Sequence, residues 1–64
     1  MGIRELRQRR GLTQIELAWL VNMKQPSLSA YERGAKNVRL MSAANAAKVC
    51  KVLNCSLTEL LETD

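Results

Sequence analysis

A chain of 64 residues with one Trp, one Tyr, no Phe and no His buries only about 60% of the surface its unfolded form exposes, which leaves no room for a deep substrate cleft. No apolar run reaches the roughly 18 residues of a membrane span, and Met1-Gly2-Ile3-Arg4-Glu5 lacks a signal peptide's apolar segment. The net charge of +4 is uneven: Arg4, Arg7, Arg9, Arg10, Lys24, Arg33, Lys36 and Arg39 against Glu5, Glu16 and Glu32 give +5 over residues 1–39, whereas residues 40–64 sum to −1.

These bounds predict one all-α domain over residues 1–64, cytoplasmic and not membrane-bound, with any polyanion-binding surface in its first part. Ile3 and Leu6, followed by Arg7, Gln8, Arg9 and Arg10, suit a first helix that ends at Gly11. Thr13 and Glu16 have the spacing of a reciprocal capping box, so a second helix is predicted from about Thr13 to Val21. Asn22 tolerates the left-handed conformation of a sharp turn, and Ala18 is small enough to let two helices meet. A third helix is predicted to begin near Lys24 or Gln25, with Pro26 in its first turn, and to stop at Gly34. Leu17, Val21, Met23, Leu28 and Tyr31 supply one apolar stripe to each of these two segments, so residues of about 13–33 read as a helix-turn-helix. Such a unit serves to present its second helix.

Residues 35–41 show no period and are predicted to be a connecting loop. Ser42 can cap a fourth helix, Ala43 to Leu53, with Ala46, Val49, Cys50 and Leu53 inward, ended by Asn54. Ser56 and Glu59 form a second capping box, opening a short fifth helix with Leu57, Leu60 and Leu61 apolar. Cys50 and Cys55 fall on the inward side and are expected to be buried free thiols. Two cysteines without a histidine cannot build a zinc site, and no cofactor is implied.

Gly11-Leu12-Thr13-Gln14, Glu16-Leu17-Ala18, Leu28-Ser29, Tyr31-Glu32-Arg33-Gly34 and the closing Leu53-Asn54-Cys55-Ser56-Leu57-Thr58-Glu59-Leu60-Leu61 together resemble the lambda-repressor-like, Xre-type family over nearly the whole chain. The resemblance implies a compact five-helix bundle that binds operator DNA as a two-fold dimer, with helix three in the major groove. It places Gln14, with Thr13 beside it, against a phosphate at the start of helix two. It assigns base contacts to Gln25, Pro26, Ser27 and Ala30, with Lys24 just before them and Ser29 at the edge of the face. Gln25 can pair bidentately with adenine, Ser27 can bond several base edges, and Ala30 can touch a thymine methyl; Lys24 reaches guanine or a phosphate. Pro26 departs from the family's pattern, having no donor, and shifts weight to shape readout. Arg33, Lys36 and Asn37 match backbone-contacting positions. Arg39 lies where this chain has roughly three residues more than the family between Gly34 and Leu53, so its match is loose. Arg7 and Glu32 match a pair that bridges helix one to the end of helix three, expected here as a partly buried, bidentate ion pair.

Two apolar sets are not absorbed by this reading. Ile15 and Trp19 fall opposite Leu17 and Val21 on a helical wheel, and either form a docking face for a partner or second subunit, or lie beneath helix one or the 35–41 loop. Leu57, Leu60 and Leu61 serve either the core or a symmetric dimer contact. The function expected is that of a sequence-specific DNA-binding transcriptional regulator, a repressor, bound to double-stranded DNA as a homodimer. The alternative is a protein-interaction module, such as an antitoxin or adaptor, using the Ile15/Trp19 face. Catalysis is not expected, because the chain offers no histidine and no nucleophile beside a base.

Overall fold

Left-handed residues punctuate the chain at Gly11, Asn22, Gly34 and Asn54, with φ of +69°, +56°, +80° and +53°, and each follows the end of a helix. The computed structural model describes residues 2–62 as α1 (Ile3–Arg9), α2 (Gln14–Leu20), α3 (Gln25–Glu32), a 3-10 turn (Val38–Leu40), α4 (Ala43–Leu53) and α5 (Leu57–Leu61). No strand occurs among the described residues.

The caps explain these boundaries. Thr13 Oγ1 accepts from the Glu16 amide at 3.1 Å while Glu16 Oε1 accepts from the Thr13 amide at 2.9 Å, satisfying two amides that α2 itself cannot. Ser56 and Glu59 repeat the exchange at 3.0 Å in both directions, and Ser42 Oγ accepts from the Asn45 amide at the start of α4. Between α2 and α3 the Met23 amide donates to the Ala18 carbonyl at 2.8 Å and the Asn22 amide to that of Trp19 at 3.2 Å. This paired closure needs a left-handed residue between the helices, which Asn22 supplies.

Ile3 and Leu6 of α1, Leu17 and Ala18 of α2, Val21 beyond it, and Leu28 of α3 form one core with Ala46, Val49 and Leu53 of α4 and Leu60 of α5. The 35–41 segment is more than a connecting loop. Val38 and Met41 are both buried in that core, because a 3-10 turn stacks residues three apart on one side. Asn37 caps this turn, its Oδ1 accepting from the Arg39 amide. The thiols depart from expectation in degree: Cys50 and Cys55 are free but only half-buried.

One ion pair joins the motif to the rest. Arg7 Nε donates to Glu32 Oε2 at 2.8 Å and Nη2 to Oε1 at 3.0 Å, while Nη1 donates to the Leu12 carbonyl at 2.8 Å. The Glu32 side chain is 2% exposed and that of Arg7 12%, so solvent screens the contact weakly. Arg7→Ala strands a buried carboxylate at a cost of about 3–5 kcal/mol, comparable to what a core this small supplies. That variant should be largely unfolded by circular dichroism. Replacing both partners by apolar residues, Arg7→Met with Glu32→Leu, should restore most of the lost stability. A single variant that unfolds at the wild-type urea midpoint sinks this account.

The pH limits follow from other groups. Burial, followed by the neighbouring Cys50 thiol, pushes the Cys55 thiol up from 9.0 to about 11. The folded state therefore favours the neutral thiol: its contribution is whole below pH 9 and is lost as pH rises towards about 11. The capping bonds from Thr13 and Ser56 hold Glu16 and Glu59 below the usual carboxylate range, so their contribution is present at neutral pH and fades in acid. Stability should be flat from pH 6 to 8, with an alkaline decline that Cys55→Ala removes, as urea midpoints across pH would record.

Candidate nucleic-acid interface

The outward side of α3 is built by its own start. Lys24 occupies the N-cap without a side-chain cap bond, and Pro26 sits in the first turn, where a missing amide hydrogen forgoes no helical partner. Lys24, Gln25 and Pro26 are exposed, Ser27 and Ser29 half-buried. Leu28, on the opposite side, is fully buried.

Ala30 is 9% exposed, and its carbonyl accepts the amides of both Ala35 and Lys36, which closes the turn that follows α3. Gln14, half-buried at the first position of α2, donates from Nε2 to Glu32 Oε1 at 3.2 Å, which links it to the Arg7–Glu32 pair. Thr13 remains exposed; its hydroxyl oxygen is taken by the capping bond, and its hydroxyl hydrogen stays available to a phosphate.

Beyond α3 the predicted cations come together. Arg33, Lys36, Asn37 and Arg39 border one open trough of about 610 Å³ beside the end of α3. Arg33 Nε donates to Ser29 Oγ at 3.3 Å, steadying the guanidinium while its terminal nitrogens stay outward. Lys36 Nζ lies 5.6 Å from the centroid of the Tyr31 ring, within cation–π range. Asn37 gives its oxygen to the 3-10 cap and keeps its amide donors. Glu32 also borders the trough, but Arg7 neutralises it at 2.8 Å, so the local field stays positive.

The apolar sets resolve in opposite ways. Ile15 is 65% exposed and Trp19 81%, so neither α1 nor the 35–41 segment covers the indole. Leu12, Glu16 and Leu20 join them around a shallow hollow of about 320 Å³. Leu20 was not anticipated, although a wheel anchored on buried Leu17, Ala18 and Val21 puts it outside. On α5, Leu60 is fully buried while Leu57 is exposed and Leu61 half-buried. Leu57 and Leu61 border a groove of about 420 Å³ with Val38, Met41, Ala47 and Cys50. Leu40, 81% exposed, was also missed, since only the 3-10 register separates it from its buried neighbours Val38 and Met41.

Among the described residues no group of three His, Cys, Asp or Glu gathers to hold a metal ion, and no helix is long and apolar enough to cross a membrane. A search of curated proteins finds no match. The family model described as Helix-turn-helix matches residues 3–60, from the first residue of α1 to the buried leucine of α5, and that family is one of DNA-binding regulators, generally non-enzymatic. The chain belongs to this Xre-type, lambda-repressor-like helix-turn-helix family.

Proposed function

We propose that this protein is a sequence-specific transcriptional repressor that binds operator DNA as a dimer, with α3 in the major groove. The observation that carries the reading is the juxtaposition of an exposed, acid-free α3 start, Lys24-Gln25-Pro26, with the cationic trough of Arg33, Lys36, Asn37 and Arg39 at its other end. Gln25 and Ser27 read base edges, and Lys24 reaches guanine or a phosphate. Thr13, Arg33, Lys36 and Asn37 hold phosphates and set the register of the domain on the duplex. Arg39 joins them, since it borders the same trough. Pro26 contributes rigidity and apolar contact but no hydrogen bond.

Repression needs only occupancy: a body measuring 22 × 21 × 20 Å seated on an operator excludes competitors from that stretch of duplex. The dimer contact falls to the exposed Leu57, with Leu61 beside it, related by a two-fold axis that leaves half-sites about 34 Å apart. A second reading rests on Trp19, whose 81% exposure beside Ile15 and Leu20 gives a protein partner an indole to bury. In that reading the protein is an antitoxin or adaptor, and the α2 face is its working surface.

Selection of bound sequences from random duplexes across a salt series tests the first reading. The expected product is a partly palindromic site, with affinity that falls steeply as salt rises. Gln25→Ala should change the preferred base at one position, whereas Lys36→Ala should weaken all duplexes alike and flatten the salt slope by about one. Equal affinity for every duplex, unaltered by Gln25→Ala, would remove base readout from the proposal.

The α2 face has its own test. Trp19→Ala should leave stability within about 0.5 kcal/mol, because the ring is exposed. Sedimentation mass and duplex affinity unchanged by that substitution assign the face no part in self-association or DNA binding. A drop in mass assigns the dimer contact to α2 instead of α5.

A further inference from the structure

A second polar hollow lies beside α3, apart from the trough at its end. It is a cup of about 250 Å³ bordered by Asn22 and Met23 of the inter-helix turn, Lys24, Ser27 and Tyr31 of the α3 side, Lys36, and Asn45 in the first turn of α4. Lys24, Ser27 and Tyr31 are three and four residues apart, so they stand on one side of α3. Lys36 is held over the Tyr31 ring and brings a second ammonium to the rim. No carboxylate borders the cup. Among the described residues, the side chains of Asn22, Ser27 and Asn45 and the Tyr31 hydroxyl make no hydrogen bond, leaving their polar atoms available to a ligand.

We propose that this cup holds a phosphate group, and that the DNA backbone alongside the first half of α3 supplies it. The inference rests on the DNA-binding reading above and adds Tyr31, Asn45 and Asn22 to the residues that touch the duplex. The chemistry favours phosphate over carboxylate. Two ammoniums act as point charges, and a hydroxyl, a phenol and amide donors approach from different elements, matching a tetrahedral group with several acceptors. The planar, forked recognition of a carboxylate would call for arginine, and none borders the cup. Its size points the same way: pockets that enclose a whole small molecule run to about 300–1,000 Å³, so this one suits a single group on a longer molecule. A free phosphorylated compound offers the same chemistry, and the test separates the two sources.

Tyr31→Phe and Asn45→Ala remove one donor each and no charge, and matched melting temperatures establish that both fold; if Tyr31→Phe does not, Asn45→Ala carries the test. Binding of a short mixed-sequence duplex at low salt is followed by fluorescence anisotropy, and inorganic phosphate is titrated separately while the Asn45 side-chain amide signals are followed by NMR. Each variant should bind the duplex about tenfold more weakly, the worth of one hydrogen bond to a charged group. The loss should be equal for all sequences, with the salt slope unchanged because no cation has gone. That result supports the cup with DNA as the source. A saturable response of Asn45 to inorganic phosphate, with duplex binding unaltered in the variants, supports the cup with a free phosphate as the source. Wild-type protein indifferent to duplexes overturns the DNA-binding reading, and the cup then stands or falls on the phosphate titration. Variants that bind the duplex as tightly as wild type, together with no response to phosphate, overturn the cup and leave the DNA-binding reading intact.

Discussion

A single carboxylate, that of Glu32, fixes the frame on which the rest depends. It is the last residue of α3, and it receives Arg7 from α1 and Gln14 from the first position of α2, while Arg7 also reaches the Leu12 carbonyl between them. Three helices are thus tied at one point. The net stability of such a pair, compared with apolar residues of similar volume, is small or negative; its effect on geometry is larger. Any rotation of α3 about its own axis would pull a nearly inaccessible charge from its partners, so the orientation of the helix is defined at this end by charge. At the other end it is defined by contact, where Ala18 admits the Met23 amide at 2.8 Å.

The same pair shapes the surface electrostatics. Glu32 stands on the border of a trough otherwise marked by Arg33, Lys36 and Arg39, and an unpaired carboxylate there would repel a phosphate backbone. Pairing with Arg7 cancels it without adding a group to the exposed surface. The arrangement uses two side chains, Arg7 and Gln14, that would otherwise be free to meet DNA. Structural order at the end of α3 and a phosphate contact at the start of α2 therefore draw on the same Gln14 side chain.

Local chemistry made much of this legible in advance. Capping boxes at Thr13–Glu16 and Ser56–Glu59 and left-handed asparagines at positions 22 and 54 depend on residues a few positions apart, so they can be read without knowing the fold. The Arg7–Glu32 pair is separated by 25 residues and was legible only through family resemblance. What stayed hidden depends on tertiary neighbours, as in the bond from Gln14 to the Glu32 carboxylate, eighteen residues away in the chain. Residues 35–41 hid two core residues because a 3-10 turn repeats every three residues, a period too short to register in so few positions. Trp19 could be placed outward by period, while its lack of cover depended on where the 35–41 segment runs.

Ala30 has only a methyl and Pro26 no side-chain donor, which leaves few groups able to hydrogen-bond base edges: Gln25, Lys24 and the half-buried Ser27. Phosphate-directed groups outnumber them, with Thr13, Arg33, Lys36, Asn37 and Arg39 on one set of surfaces and the Asn22–Asn45 cup on another. Held on the frame that the Arg7–Glu32 pair ties together, those groups call for phosphates at set positions, and a duplex that must bend or narrow to meet them incurs a deformation energy that varies with its sequence. In the proposed complex, discrimination at positions the protein never touches follows from that imbalance. Two or three base contacts then define the centre of each half-site, and the stiffness of the flanking steps decides among sites that share it.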